Sequence, residues 1–210
     1  MELMEAKHAS EILVHVADRI IDSKPYLTKV DSDIGDGDHG IGMELGMKKG
    51  LAKIQDMTAE QNVYMLFETF GKAMMMSMGG ASGIIFGSVF MAGAKGMEPK
   101  FAITAGEFAD MFRHSLDEVK SRGGAHVGDK TMVDAFEPAV IALQKNADRG
   151  FEEMLRAASE AAKAGAEKTK DYVAKFGRAK SLLERAVGHM DAGAVSTGII
   201  FEAMYEYVRS

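Results

Sequence analysis

Glycine-rich segments interrupt this sequence at regular intervals, and their spacing is the feature that most constrains the fold. Between them, apolar residues recur with the period of an α-helix. In the stretch over residues 8–24, one helix face collects Ile12, Leu13, Val16 and Ile20. No segment alternates as a strand does, and alanine, methionine and leucine outnumber β-branched residues in the periodic stretches. We therefore expect an all-α protein.

The same periodicity predicts about eight principal helices in a single domain over residues 1–210. After residues 8–24, they cover residues 43–55, 58–78, 82–95, 104–121, 131–146, 151–175 and 194–208, with a short helix over 179–187. Capping-box spacing supports two of the starts, at Thr58 with Gln61 and at Thr104 with Glu107. Pro25 and the acidic segment that follows it are predicted to form a loop.

Two predicted helices separate each glycine-rich segment from the next. These segments lie near residues 31–42, 79–83, 122–130 and 176–178. In an antiparallel, up-and-down bundle, two helices return the chain to the same end. The segments should therefore gather at one end of the bundle, and residues 188–193 could join them.

The segment DSDIGDGDHGIG, residues 31–42, contains four aspartates and four glycines. Like charges this close repel one another, so a bound cation is the natural compensation. The calcium loop of an EF-hand does not fit, because its sixth position would be Asp36 and its twelfth Gly42. The pattern instead favours Mg²⁺ held by Asp31, Asp36 and Asp38. The alternative is a solvated acidic turn with capping aspartates.

Two neighbours of this trio have open roles. Asp33 is either a fourth ligand or points outward, and His39 is either a structural hydrogen-bonding residue or part of the site.

The other loops offer groups that bind anions. GGASG, residues 79–83, places Ser82 and free backbone N–H groups before a helix, which suits a phosphate, although a simple helix break is the alternative. Lys130 either meets phosphate charge or is solvated. Arg178 either contacts a base or phosphate, or lies on the surface. No G-x-x-x-x-G-K-[ST] motif occurs, and the spacing G-x-G-x-x-G at residues 35–40 follows no strand.

Composition excludes several functional classes. The chain has 210 residues, a net charge of −6 and no basic cluster, which argues against a nucleic-acid partner. The absence of cysteine excludes disulfides, zinc–thiolate sites and thiol nucleophiles. The first twenty residues are typical of an amphipathic helix rather than a signal peptide, and no apolar run reaches membrane-spanning length. We expect a soluble cytoplasmic protein with no membrane association.

Five motifs in order resemble the nucleotide-binding L subunit of dihydroxyacetone kinases: IGDGDHGIGM, GGASG, GDKTMVDA, GRA and GHMDAGA. The resemblance covers essentially the whole chain. It implies an eight-helix antiparallel barrel whose loops at one end hold ADP or ATP through two Mg²⁺ ions. The chain departs from the common family pattern at Gly42, Lys180 and Ala192.

The resemblance also implies roles for individual residues. The magnesium ligands would be Asp31, Asp36 and Asp38. The nucleotide would be contacted by His39, Gly40, Ile41, Gly42, Ala81, Ser82, Gly123, Met132, Arg178, Asp191, Ala192 and Gly193. No residue is expected to bond covalently to the ketone substrate, because in this family a separate K subunit holds it.

The implied activity is phosphoryl transfer from a magnesium-bound nucleotide to a short ketose on the K subunit. Because only the L part is present, the resemblance favours the form in which a phosphohistidine subunit of the phosphotransferase system rephosphorylates bound ADP. Three alternatives stay open: the L subunit of an ATP-dependent ketose or tetrulose kinase, a non-catalytic nucleotide-binding regulator, and a calcium-binding structural bundle.

Overall fold

A computed structural model describes residues 1–57 and 61–210. The described residues form nine α-helices: α1 (Ala6–Asp22), α2 (Lys24–Ile34), α3 (His39–Gln55), α4 (Val63–Ser77), α5 (Gly80–Met91), α6 (Ala105–Gly123), α7 (Val133–Asn146), α8 (Gly150–Lys168) and α9 (Ala192–Arg209). Shorter elements are the 3₁₀ helices Ala147–Arg149, Thr169–Asp171 and Arg178–Ala186, and the strands β1 (Met4–Glu5) and β2 (Ala102–Ile103). None of the described helices combines the length and apolarity needed to cross a bilayer.

Eight of the helices pack side by side in a closed ring. The order around it is α1, α3, α4, α5, α6, α7, α8 and α9, and α9 returns to α1. Helix α2 stands outside this ring, against α3 and α9. The expected all-α antiparallel barrel is therefore confirmed, with one helix more than the sequence predicted.

The additional helix, α2, corrects the prediction that the chain around Pro25 is a loop. Pro25 lies at the start of α2, where a missing backbone N–H removes no intrahelical bond and the fixed φ suits a helix. The helix ends at Gly35, whose N–H donates to the Asp31 carbonyl at 2.6 Å. Asp31 therefore lies in the last helical turn and not in an open loop.

The start of α6 follows the predicted capping box. Glu107 N donates to Thr104 Oγ1 at 3.2 Å, and Thr104 N donates to Glu107 Oε2 at 2.8 Å. For α4 the observed cap is Asn62, whose side chain accepts from Met65 N at 3.0 Å. Thr58 itself lies outside the described residues, but Gln61 precedes the helix and its Nε2 donates to the Met57 carbonyl at 3.2 Å. The prediction that this helix starts at Thr58 with Gln61 as its capping-box partner is therefore wrong.

Three further boundaries differ from the prediction. Helix α3 begins at His39, four residues earlier than predicted, and α5 begins at Gly80. Helix α8 ends at Lys168 instead of residue 175, because Thr169 begins a 3₁₀ turn and its hydroxyl donates to the Ala166 carbonyl at 2.6 Å. The short element predicted over 179–187 is a 3₁₀ helix, interrupted at Leu183, which has φ +52°.

The two short strands lie at the end of the ring away from the acidic segment. They pair antiparallel, with Met4 opposite Ile103. Beside them, Ala6 N donates to the Phe101 carbonyl and Val63 N to the Lys100 carbonyl. These backbone bonds tie the start of α1, the start of α4 and the α5–α6 connection together at one end, so the glycine-rich loops all meet at the other.

Phenylalanines fill the ring interior. The Phe112 ring contacts the rings of Phe67, Phe108, Phe136 and Phe201, with centroids 4.8–6.4 Å apart. All of these side chains are fully buried. Mostly edge-on and tilted aromatic pairs of this kind add stability beyond the apolar area they bury, which makes the interior a rigid support for the loops above it.

Helices α4 and α5 approach closely at a pair of glycines. A Cβ at Gly71 would lie 2.5 Å from the Gly87 carbonyl oxygen and 2.6 Å from Met91 N. Both are backbone atoms, so the space cannot be recovered by rotating a side chain. The crossing therefore requires glycine at position 71, and it fixes how α5 presents its first turn.

We predict that Gly71→Ala lowers the free energy of unfolding by about 1–3 kcal/mol, because the two helices must separate. Urea unfolding followed by circular dichroism measures this loss. Gly106→Ala is the matched control, since its Cβ would meet nothing closer than Thr104 Oγ1 at 3.8 Å. The control should unfold at the same or slightly higher urea, and equal stability of both variants would contradict the close crossing.

Candidate functional site

Three aspartates converge where α2 gives way to α3. Asp31 comes from the last turn of α2, and Asp36 and Asp38 come from the short connection that follows. Gly37 allows this tight path, with φ +77°. One carboxylate oxygen from each aspartate lies within 4.8 Å of the other two. The structure thus brings together the three residues that were predicted to hold metal.

Burial and charge repulsion within this cluster both act on Asp38. Partial burial, then the carboxylates of Asp36 and Asp31, raise the pKa of Asp38 above its ordinary value. Asp36 is partly compensated by Arg178, whose Nε lies 2.5 Å from its Oδ2. Three converging carboxylates with open faces match the hard oxygen ligands that Mg²⁺ prefers, with water and phosphate completing its shell.

Asp33 stands apart from the three. Its Oδ2 lies 3.6 Å from His189 Nδ1, and both side chains are substantially exposed. Of the four aspartates in the acidic segment, Asp33 therefore serves as the natural internal comparison.

His39 is the first residue of α3 and lines the cavity beside the aspartates. Its backbone N donates to Asp31 Oδ2 at 3.3 Å, and its ring Nε2 lies 2.8 Å from the Ser196 hydroxyl. Burial lowers the pKa of His39, which the Asp31 carboxylate partly opposes. The neutral imidazole is therefore favoured, positioned between α3 and α9.

Two helix N-termini face the aspartates. Helix α5 begins after Gly79 with no side-chain cap, so its first backbone N–H groups and Ser82 are available to an anion. Helix α9 begins at Ala192 and is capped by Asp191, whose Oδ2 accepts from Ala194 N at 2.8 Å. Burial, opposed by the bond to Ala194, raises the pKa of Asp191 to about 7.

These elements enclose one cavity of about 710 Å³ at the loop end of the ring. Thirteen of the predicted site residues line it: Asp31, Asp36, Asp38, His39, Ile41, Gly42, Ala81, Ser82, Met132, Arg178, Asp191, Ala192 and Gly193. The convergence of loops inferred from the number of intervening helices is therefore confirmed in the described part of the chain.

Two predicted residues lie elsewhere. Gly40 turns toward α2, where an added Cβ would lie 2.6 Å from the Lys24 carbonyl oxygen and 2.5 Å from Thr28 Oγ1. Gly40 therefore permits α3 to pack closely on α2 and is not among the lining residues. Gly123 lines an adjoining cavity of about 290 Å³.

The adjoining cavity is mostly apolar and shares a wall with the first. Both are lined by Ala81, Ile85, Thr131, Met132, Phe176 and Gly177. A chamber with charged side chains in its wall thus opens beside a mostly apolar one, a combination that suits a ligand with a highly charged end and a flat apolar end.

The position of Lys130 corrects both of its expected roles. The side chain reaches the cavity wall but is only 1% exposed. Its Nζ donates to the carbonyls of Thr169 and His189. Burial lowers the pKa of Lys130, and the carboxylates of Asp191 and Asp134 oppose this. It is neither solvated nor directed as a free cation into the cavity.

Sequence reasoning missed the apolar lining residues Ile34, Phe86 and Phe176. A signal existed for Phe86, which follows Ser82 by four residues and so shares its helix face. Phe176 comes directly before the glycine and arginine of FGRA. A phenylalanine in a loop does not by itself indicate a ligand-binding role, so the fold was needed to place it at the cavity.

Comparison with known proteins yields relatives that match almost end to end. The chain is 35% identical over 210 residues to PEP-dependent dihydroxyacetone kinase 2, ADP-binding subunit DhaL, of Listeria innocua serovar 6a, covering 99% of this chain and 97% of that protein. It is 36% identical over 181 residues to the PEP-dependent dihydroxyacetone kinase, ADP-binding subunit DhaL, of Escherichia coli K12, covering 85% and 86%.

A solved structure shares the fold. The dihydroxyacetone kinase of Citrobacter freundii, in complex with AMP-PNP and Mg²⁺, matches with a TM-score of 0.73 and 27% identity. The match covers 94% of this chain but 33% of that one, so this chain spans about a third of its length. The family model of the DAK2 domain matches residues 33–206. The chain belongs to the DAK2 domain family.

Proposed function

We propose that this chain is the nucleotide-binding subunit of a dihydroxyacetone-type kinase and transfers a phosphoryl group from magnesium-bound nucleotide to a short ketose. One observation carries the proposal: three converging carboxylates face two helix N-termini across a single cavity. Carboxylates without a cation would repel a polyphosphate, and helix N-termini can bind an anion without carboxylates nearby. Together they suit a ligand made of divalent cations and phosphates.

Within this proposal the two chambers hold different parts of the nucleotide. Asp31, Asp36 and Asp38 would hold two Mg²⁺ ions, and the start of α5 would bind the polyphosphate. The flat apolar base enters the adjoining cavity, beside Gly123 and Met132. The shared wall between the two cavities supports this placement, because one ligand can then occupy both.

The chain's own residues bind and orient the polyphosphate. Backbone N–H groups at the start of α5, together with Ser82, donate to phosphate oxygens, and the neutral His39 ring offers a further nitrogen. Arg178 can exchange its bond to Asp36 for phosphate oxygens, because its side chain is 71% exposed. Magnesium held by the three aspartates would supply neutralisation of the charge on the phosphates. Catalysis by this chain is therefore positioning and electrostatic stabilisation.

The ketose and the phosphoryl donor belong to other subunits in this proposal. A K-type subunit presents the ketose at the open end of the cavity, and a phosphohistidine subunit of the phosphotransferase system rephosphorylates resident ADP in the cytoplasm. The near end-to-end match to PEP-dependent subunits favours this form. ATP as the donor is the second candidate, because the Citrobacter freundii kinase with the same fold was solved with AMP-PNP.

Reconstitution tests the function directly. When the purified protein is denatured by heat and removed, we expect the supernatant to contain about one molecule of ADP per protein chain. With a K-type subunit, dihydroxyacetone and the phosphoenolpyruvate relay, the mixture should form dihydroxyacetone phosphate. Turnover with ATP but not with the relay would establish the second candidate. Absence of product with either donor, from protein that retains nucleotide, would leave only the regulatory alternative.

We predict that Asp38→Asn weakens magnesium-dependent ADP binding by at least about tenfold, because one hard ligand is lost. Isothermal titration with ADP, with and without Mg²⁺, measures this change. The unliganded variant should unfold at slightly higher temperature than the wild type, since a carboxylate with an unfavourable charge is removed.

Asp33→Asn is the matched control for this experiment. It removes one charge from the same segment but leaves the three converging carboxylates intact. Its ADP affinity should stay within about twofold of the wild type. Equal weakening by the two substitutions would indicate a general effect of local charge rather than metal ligation.

The raised pKa of Asp191 predicts a specific pH dependence of stability. The folded protein keeps the Asp191 proton up to about pH 7, whereas an unfolded aspartate loses it near 3.8. The unfolding free energy from this group therefore falls as pH rises from about 4 to about 7. Asp191→Asn should gain about 1–3 kcal/mol relative to wild type across that window while keeping the α9 cap.

Urea unfolding without nucleotide or Mg²⁺, at pH 4.5 to 8, measures this difference. Exposed Asp18, on α1, provides the control: Asp18→Asn should show no comparable pH-dependent gain. A constant offset between Asp191→Asn and wild type at all pH values would contradict a raised pKa.

A further inference from the structure

Three charged residues with less than a tenth of their surface exposed lie in one short stretch of the described chain. They are Asp129, Lys130 and Asp134, in the connection that leads from α6 into α7. Asp134 fixes the connection itself, accepting from Gly128 N at 2.5 Å and Thr131 N at 2.7 Å. The proposed chemistry uses none of the three, yet burying charge is costly unless it is specifically paired.

Lys130 joins two distant points of the chain. Its Nζ donates to the Thr169 carbonyl and, at 2.5 Å, to the His189 carbonyl. Its backbone has φ +59°, a conformation rare for residues other than glycine. A strained backbone and a buried ammonium at one residue persist only where the surroundings hold them in place.

The two carbonyls mark the two ends of a single excursion of the chain, residues 170–188. Gly188 N donates to the Lys170 carbonyl at 2.8 Å, and Asp191 N donates to Thr169 Oγ1 at 2.9 Å. The ends of the excursion therefore meet, and the Lys130 ammonium lies at that junction.

Asp129 holds the same excursion at a third point. Lys175 N donates to the Asp129 carbonyl at 3.1 Å, and Lys175 Nζ donates to Asp129 Oδ1 at 2.6 Å. The hydrogen bond from Lys175 Nζ is the main reason that the pKa of Asp129 lies below its ordinary value. Two adjacent residues, Asp129 and Lys130, thus contact both ends and the interior of one segment.

The excursion carries side chains over the cavity. Phe176 and Arg178 line the cavity, and Arg178 reaches across to Asp36. Its remaining apolar support is a small cluster in which Ala174 and Ala186 pack against Ile34. With so little core of its own, the excursion depends on its polar attachments to keep a fixed position.

We propose that Lys130, assisted by Asp129, is the positioning residue that holds residues 170–188 closed over the cavity and so limits how fast bound nucleotide leaves. The ligand in this statement rests on the proposed function. The attachment itself does not, because it joins groups that are present without any ligand.

Removal of the ammonium has a specific physical consequence. In Lys130→Met, the carbonyls of Thr169 and His189 lose a charged donor inside the protein, and hydrogen bonds to charged groups are among the stronger ones. The least costly response is for the excursion to open so that water reaches those carbonyls. The ring of helices and the three aspartates are left in place.

Hydrogen exchange on the full-length, unliganded protein tests the attachment. Amides of residues 172–188 in Lys130→Met should exchange at least about tenfold faster than in wild type, with α4 and α6 unchanged. Lys145→Met, on the exposed face of α7, is the matched control and should show no change. Unchanged exchange in residues 172–188 of a folded Lys130→Met protein would overturn the inference.

Release of a fluorescent ADP analogue in the presence of Mg²⁺ tests the consequence. Lys130→Met should release it at least about tenfold faster than wild type, with a smaller change in the association rate. A variant with only reduced global stability would bind fewer analogue molecules but release them at the wild-type rate. That result would overturn the positioning role.

A second variant covers the case in which Lys130→Met does not fold. Lys175→Ala removes the side-chain bond to Asp129. Because the Lys175 side chain is 66% exposed, this substitution does not alter the core. It should accelerate release and exchange in the same direction, by about threefold. Wild-type rates in Lys175→Ala would then overturn the inference. Failure of wild type to bind the analogue would instead contradict the proposed function.

Discussion

Electrostatic repulsion among Asp31, Asp36 and Asp38 is the interaction on which the structure of the loop end of this protein depends. Carboxylates would spread apart on a flexible segment, so the fold must hold them together. It does so by placing Asp31 in the last turn of α2, which ends at Ile34, and by starting α3 at His39, with only a glycine-containing turn between the two helices. Arg178 partly compensates the charge from the opposite side. The cluster therefore stores unfavourable free energy, which a divalent cation bound there as proposed would release.

The ring of helices supplies the stiffness that this arrangement needs. Phenylalanine rings pack against one another in its interior, and α5 crosses α4 closely at Gly71. The start of α5 and the carboxylates line the same cavity on these packed helices. Opposed charges on rigid elements need little reorganisation when ligand arrives, which is the usual basis of electrostatic catalysis.

Helical period and glycine spacing are local signals, and they were sufficient to predict an all-α bundle with its loops at one end. The closed ring and most of the residues that line the cavity were implied by the family resemblance. Sequence reasoning failed where the cause was tertiary. Pro25 was read as a break, although at a first turn it begins a helix. Lys130 carried no sign of burial, since its partners are carbonyls of residues that lie far along the chain. Gly40 serves the packing of α2 on α3, which no local pattern reports.

The paired strands and the last turn of α9 lie at the end of the ring remote from the cavity. Tyr207 near the carboxyl terminus reaches Glu11 of α1, so both termini leave the molecule on that side. A tether or a further domain joined at either terminus would therefore project away from the mouth.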